Sequence, residues 1–500
     1  DLMALDRFDY IDMEEAWTRI GDTKLLAHLL DPRAKSDGAT GHKLENLAAH
    51  YLGDPGAGRY EAELMALFAA NGWARGDGYG LVDIDAPEFV RYAGADVLLC
   101  SWLFDAIDPL VDAGGFRGLA DFEHEVASVT TAIQRRGMLV DLEYAPVLAE
   151  SLNERATAGR RVAASFGIAN VNSTAQVAEV MLALGAELTS KTPSKKWKVD
   201  KDVLEGIVAA HPDGPLSAVA AAVMDAKNAE GFRLKYVDKV VATLGEDGRC
   251  HASINSLQAR TARMSVSDPP LQQLPANDAL IRSLFIASPG MVIGSCDFDQ
   301  VELRIMGAIA GDKAILGAVK DGVDLHQLTA DRVGISRKLA KMVNFLIAFG
   351  GGYELLAVKA GISKAAAKSA VDGWWRSYPG VRRHKQSLIG TNQRRDPFVT
   401  TATGRVLPLD RGRVYAALNY EIQSTARDVM AQSLLDLKKA GLDQHLLMTV
   451  HDEAIFEAPI GDAEEVARAY GATMTMDVLG TTLSASGEIY GASWGAGYAV

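Results

Sequence analysis

Leu446-Leu-Met-Thr-Val-His451-Asp452-Glu453-Ala-Ile-Phe-Glu457 sets a polar trio between two apolar runs, the pattern of strand, tight turn, strand. The tip carries two adjacent carboxylates, Asp452 and Glu453, on flanks too apolar for a surface loop. Taking carboxylates out of water is costly unless an opposite charge compensates them. A divalent cation is the compensation to which these residues point. Standing alone, the same stretch would better describe a solvated hairpin turn.

A second apolar run, Met291-Val-Ile-Gly-Ser-Cys-Asp297, also ends in a carboxylate. It continues as Phe298-Asp299-Gln300-Val301-Glu302-Leu303-Arg304-Ile305-Met306, where the apolar spacing becomes helical, so a strand is expected to pass into a helix near Asp297. Two strand-end aspartates, distant in sequence but able to meet in one sheet, suit a two-metal site for in-line displacement at phosphorus. Magnesium takes hard oxygen ligands and shares substrate phosphates, so two aspartates and a main-chain carbonyl suffice. A third segment, Arg337 to Gly350, contains no Pro and has Gly only at its end, which predicts a helix with a glycine stop. Arg337, Lys341, Phe345 and Phe349 recur every four residues along it. They therefore share one gently wrapping face, two cations followed by two rings, able to grip a triphosphate and stack on a base and sugar. An amphipathic surface helix with buried phenylalanines is the competing reading.

Together these segments resemble family A DNA polymerases. The Asp297 strand with Gln300-Val301-Glu302-Leu303-Arg304 looks like that family's motif A, the Arg337–Gly350 helix like motif B, and His451-Asp452-Glu453 like motif C, in that order. Thr261 to Pro275, Asp324-Leu-His326, Gly404-Arg405 and Asn419 to Ala426 add ordered matches. The resemblance is good over residues 117–500 and weak before them. It implies an α+β, right-hand polymerase of palm, fingers and thumb, preceded by a partial α/β ribonuclease H-like 3′–5′ exonuclease domain.

The resemblance also implies roles. Asp297, Asp452 and the Phe298 carbonyl would bind two Mg²⁺ ions, with Mn²⁺ a possible substitute, and Glu453 would be an auxiliary carboxylate. Arg337, Lys341 and His326 would hold the phosphates of the incoming dNTP, Lys341 also protonating pyrophosphate. Phe345 would pack on its sugar and base, and Gln300 would add a contact. Glu302 would close the space beside the 2′ carbon. Arg263, Asn419, Gln423 and His451 would meet the minor-groove edge of the primer-template, where acceptors are similarly placed in every correct pair. The chain departs from the family at Leu346, usually Gly, and at Phe349, usually Tyr, which puts substrate discrimination near the template base in question.

Composition narrows the class. Five hundred residues exceed one hydrophobic core. Cys100, Cys250 and Cys296 are scattered without CxxC spacing, which suggests reduced thiols and a cytoplasmic location, the host cytoplasm for a phage protein. No apolar run is long enough to span a membrane, and no accessory partner is legible; a monomer is expected. The net charge of −13 divides unevenly: residues 1–116 hold 9 Lys+Arg against 21 Asp+Glu, leaving the rest near neutral. Basic clusters at Lys191–Lys201 and Arg376–Lys385 are candidates for tracking a phosphate backbone.

The expected division is 1–115 exonuclease-like, 116–250 connecting helices and thumb, 251–310 palm, 311–399 fingers and 400–500 palm. Tyr92-Ala-Gly-Ala-Asp96 puts a tyrosine and an aspartate near one helical face, apt for orienting a water and binding a metal, with Asp1 as a possible second aspartate. No Asp-x-Glu strand precedes them, so an N-terminal part is expected to be missing and the chain as given is not expected to proofread. A phage replicative enzyme is favoured over a bacterial repair enzyme. A single-subunit RNA polymerase is the nearest rival, opposed by Glu302 and Phe345. A catalytically dead scaffold is opposed by Asp297, Lys341 and Asp452 together.

Overall fold

The fold is that of a computed structural model, which describes residues 2–192, 194–275, 278–393 and 395–498; Asp1 lies outside them. The elements that frame the sites are, in chain order, helices α1 (Thr23–Leu30), α2 (Pro87–Ala113), α3 (Tyr144–Ser165), α4 (Pro215–Phe232), α5 (Val301–Ala310), α6 (Leu325–Val333), α7 (Arg337–Ala348), α8 (Lys364–Ser377), α9 (Ala417–Lys439) and α10 (Ala463–Met474). The strands are β1 (Met291–Phe298), β2 (Leu446–Val450), β3 (Glu453–Pro459) and β4 (Ala485–Gly491). Packing divides the chain into two compact units. One comprises Asp1–Ala132, Asn255–Ser265 and Lys385–Leu435; the other comprises Ile133–Ile254, Val266–His384 and Asp436–Val500.

The second unit is built on a four-stranded antiparallel sheet in the order β4-β1-β3-β2. Period-two alternation is lost in β3 because Ala454, Ile455, Phe456 and Ala458 are all buried, as expected of a central strand covered on both faces. Helix α10 lies against the sheet, with the Tyr470 and Phe456 rings stacked 4.1 Å apart. A Cβ at Gly487 would meet the Ala467 carbonyl oxygen at 2.1 Å, so glycine is what lets α10 approach β4 so closely. A core of Leu148, Leu152, Tyr236, Phe285, Ile293, Ile455 and Trp494 fills this region. Helices α3 and α4 pack through small residues: a Cβ at Gly159 would lie 2.6 Å from the Ala222 carbonyl oxygen.

The described residues of the first unit up to Ala132 form helices and loops, with no strand among them. Helix α2 buries Leu99, Leu103, Ile107 and Val111, one residue per turn, against Leu25, Leu26 and Leu29 of α1. Deeper in this unit Glu123, 0 % exposed, accepts from Arg405 and from Arg427, whose Nη2 is 2.6 Å away, and Asp428 accepts from Arg405 Nε at 3.0 Å. Such a network is strongly destabilised when one member is lost, because the remaining charge stays buried. No described helix is long and apolar enough to cross a membrane.

His28 on α1 is 3 % exposed; its Nε2 lies 3.1 Å from the Ala259 carbonyl and its ring 5.0 Å from that of His42. Burial, then the nearby His42, push its pKa down to about 3. An unfolded histidine titrates near 6.5, so the stability His28 lends is complete above that value and is lost as pH falls towards 3. His28→Gln should therefore flatten the acid limb of the stability curve by up to about 1.4 kcal/mol per pH unit. Denaturant unfolding at pH 7, 5.5 and 4 measures this; parallel curves for both proteins would refute it.

Candidate active site

Strand register assembles the carboxylates. Asp297, next to last in β1, pairs with Glu453, the first residue of β3, and on its other side with Ser486 of β4. Directly opposed residues of antiparallel strands share a face, so Asp297 and Glu453 project together. Val450 pairs with Glu453, leaving only His451 and Asp452 in the turn. His451 takes φ 61°, a left-handed conformation unusual outside glycine, at the first turn position, where it suits a tight hairpin.

Crowding by protein around Asp297, then the like charges of Asp452, Glu453 and Asp299, push its carboxyl up to about 8. Its outer face is exposed, so water screens part of this repulsion. Glu453 is raised too, chiefly by burial, although its Oε1 accepts from Ser295 Oγ at 2.5 Å and Tyr490 OH at 3.1 Å. These two hydroxyls tether Glu453 to the sheet. Negative charge concentrated at Asp297, Asp452 and Glu453 is a chemical setting suited to a divalent cation. Among the described residues no three His, Cys, Asp or Glu side chains close into a cage. That openness fits an ion that takes few protein ligands and keeps waters and substrate phosphates.

The second cluster lies on α6 and α7. Arg337, Lys341, Phe345 and Phe349 are all exposed, while Ala340, Val343, Asn344, Leu346 and Ile347 are buried. The four-residue spacing therefore marks the open face, and the phenylalanines are not core residues. Phe345 and Phe349 stack with centroids 6.2 Å apart, and Lys341 Nζ lies 5.9 Å from the Phe345 ring. Arg337 Nε donates to Asp324 at 3.0 Å. Asp324 also caps α6 by accepting from the His326 and Gln327 N–H groups, and lies 3.5 Å from Gln300 Nε2. Burial opposes ionisation of Asp324, but these donors outweigh it and hold its carboxyl below the usual range. Gln300 is in the left-handed region (φ 50°), immediately before α5, and Glu302 is half-buried in the first turn of that helix. His326, 4 % exposed, packs 5.6 Å from the Phe345 ring.

Other candidates fall elsewhere. Arg263, Asn419 and Gln423 belong to the other unit, the latter two half-exposed and one turn apart on α9. His451 is exposed in the hairpin turn. Trp374 on α8 is 0 % exposed and is a core residue. Of the basic stretch, Lys198 and Lys201 are paired with Asp200 and Glu205, and Lys191 lies over Trp197. Tyr92 and Asp96 do meet, through a hydrogen bond on α2; burial, then Glu61 and Glu45, raise the Asp96 carboxyl. Asp22, which caps α1, joins burial and Asp96 in raising the Cys100 thiol, a contribution the sequence did not point to. Ser295 and Tyr490 were also missed. Ser295 lies two residues before Asp297 on the same strand face, a signal available from period two alone, whereas nothing in sequence marks Tyr490.

Comparison with known proteins places this geometry. The pattern of DNA polymerase family A matches residues 143–496. The chain is 37 % identical to the DNA polymerase of Mycobacterium phage D29 over 100 % of its own length and 84 % of that protein's. It is 36 % identical to the DNA polymerase of Mycobacterium phage L5 over 100 % and 83 % of the two lengths. The POL domain of Pol1 from M. smegmatis, solved in complex with DNA primer-template and dNTP, superposes with a TM-score of 0.78 over 95 % of this chain and 82 % of that one, at 23 % identity. With its phage-type relatives and its paired strand-end aspartates, this chain belongs to DNA polymerase family A and is a DNA-directed DNA polymerase.

Proposed function

We propose that the enzyme extends a primer 3′ end with dNTPs in DNA replication by two-metal phosphoryl transfer. The observation that carries this reading is the β1–β3 register, which sets Asp297 beside Glu453 and next to the turn residue Asp452. In the transfer the 3′-hydroxyl oxygen bonds to the α-phosphorus as the bond to pyrophosphate breaks. Asp297, Asp452 and the Phe298 carbonyl would hold two Mg²⁺ ions, with Mn²⁺ a possible substitute. When bound, the ions lower the pKa of the 3′-hydroxyl and neutralise charge on the leaving group. Glu453, tethered by Ser295 and Tyr490, supplies negative potential without being a constant ligand. Arg337 and Lys341 bind the triphosphate, Arg337 exchanging its Asp324 partner for phosphate, and Lys341 delivers the leaving-group proton. Phe345 packs on the incoming sugar and base, with Phe349 beside it, and Glu302 closes the 2′ side.

In the other unit Arg263, Asn419 and Gln423, and in the hairpin turn His451, would read the minor-groove edge of the primer-template. The palm, fingers and thumb divisions at 251–310 with 400–500, 311–399 and 116–250 belong to the same proposal. For residues 1–115 we propose a 3′–5′ exonuclease-like role, supported by the Tyr92–Asp96 hydrogen bond and its acidic neighbours.

Three measurements bear on this reading. In primer extension with Mg²⁺, Asp452→Ala should lower the rate by at least about a thousandfold, the scale of losing a principal electrostatic catalyst; synthesis at near wild-type rate would overturn the metal-site assignment. Glu302→Ala should raise ribonucleotide incorporation by about tenfold or more, the worth of one well-placed steric or polar contact; unchanged sugar selectivity would defeat the role given to Glu302. The third concerns charge. The Asp297 carboxyl, raised to about 8 in the metal-free fold, is a group whose stabilising share is complete below its unfolded value and lost as pH rises through 8. Asp297→Asn should abolish synthesis yet raise the melting temperature of the metal-free protein by roughly 1–3 °C at pH 8, and by less at pH 5. An equal gain at both pH values would show that charge repulsion is not the cause.

A further inference from the structure

Asn344, on the buried side of α7, is 1 % exposed and fully engaged. Its Oδ1 accepts from Trp374 Nε1 of α8 at 2.7 Å, and Thr329 Oγ1 lies 3.0 Å from the same oxygen. An indole N–H can only donate, so Trp374 determines which end of the amide is oxygen. The other end, Nδ2, then faces His326 Nδ1 at 2.9 Å. An amide nitrogen has hydrogens and no free lone pair, so His326 Nδ1 must accept and the ring proton must sit on Nε2. Among the described residues nothing takes up Nε2, and it is not one of the buried polar atoms left without a partner, so it opens to solvent.

We propose that Asn344 is a positioning residue that locks His326 as the neutral Nε2–H tautomer and so presents that N–H as a donor to a phosphate oxygen of the incoming nucleotide. The inference rests on the nucleotide-binding reading of the α6–α7 face and adds to it the means by which the histidine is oriented. A second proton on Nδ1 would set N–H against N–H and leave the Trp374–Asn344–His326 chain with no acceptor at its end. The charged groups around the ring divide. Asp324, just before α6, favours the imidazolium, whereas Lys341 and Arg337 on α7 oppose it; Trp374 and Tyr378, reaching in from α8 and its end, are neutral. Burial, the largest influence, sides with the lysine and arginine, and the ring's pKa is lowered. A donor that does not titrate near neutral pH binds phosphate evenly across the working range, which an ordinary histidine would not do.

The test uses the full chain labelled with ¹⁵N-histidine, the His326 signal being identified by its loss in His326→Gln. From about pH 6 to 8, the window in which an ordinary histidine titrates, Nε2 should carry the shift of a protonated ring nitrogen and Nδ1 that of an unprotonated one. An unprotonated Nε2, or a ring that titrates in this window, overturns the proposal. Asn344→Asp supplies the second arm. A carboxylate keeps the bond from Trp374 but now accepts from Nδ1–H, raising the ring's pKa and, once the ring is neutral, leaving Nε2 as an acceptor facing phosphate. Its dNTP KM should rise by about tenfold between pH 6 and 8, the worth of one hydrogen bond to a charged group, with kcat changing less, while the wild-type KM shows no such rise. A flat KM in a folded Asn344→Asp protein overturns the phosphate role, and if that variant does not fold the wild-type spectrum decides alone. Absence of primer extension by the wild type would instead sink the functional reading, leaving the tautomer to be judged by its spectrum.

Discussion

Repulsion between carboxylates brought together by strand register is the constraint on which this structure turns. The pairing of β1 with β3 buries Ile293, Cys296, Ile455 and Phe456, and the same register sets Asp297 opposite Glu453. A slip of a single residue would re-pair every residue of β3 and carry Glu453 away from Asp297, so the pairing that buries these side chains also sets the carboxylates side by side. Hydrophobic burial thus holds together charges that would separate if free. Burial by the surrounding protein, reinforced by the neighbouring carboxylates, raises the Asp297 carboxyl to about 8.

The supporting parts follow the same logic. Ser295 and Tyr490 fix the Glu453 carboxylate, Asp324 restrains Arg337, and Asn344 orients His326. In each case a side chain with chemistry to perform is paired with a less conspicuous one that limits its freedom. The restraints differ in kind. Of the groups that hold Glu453 and His326, Ser295 and Asn344 are buried and Tyr490 is half-buried, whereas the Arg337–Asp324 pair is open to solvent, where ion pairs are weak and readily exchanged.

Much of this was legible in the chain. The hairpin at His451-Asp452, the strand that carries Asp297 near its end and the helix beginning at Arg337 all lie where hydrophobic period and stop signals put them. Local patterning specifies such elements because side-chain direction in a strand or helix depends on spacing alone. The exposure of Phe345 and Phe349 was less certain, since an aromatic pair at helical spacing is equally at home in a core. What decided it was the opposite face, where Val343, Leu346 and Ile347 make the better core. Tyr490 gave no signal at all, because its tie to Glu453 joins strands 37 residues apart. Asp22 caps α1, and its influence on the Cys100 thiol of α2 comes from the packing of α1 on α2.

The sequence by itself determined the elements, their order and the residue types at their ends, because periodicity and capping are local. It also carried the family resemblance, since the motifs are runs of neighbouring residues. Only the tertiary structure decided which carboxylates oppose one another, which way the Asn344 amide faces, and which nitrogen of His326 carries the proton. Those are properties of pairs brought together by folding, and a pair's geometry is written in neither member alone.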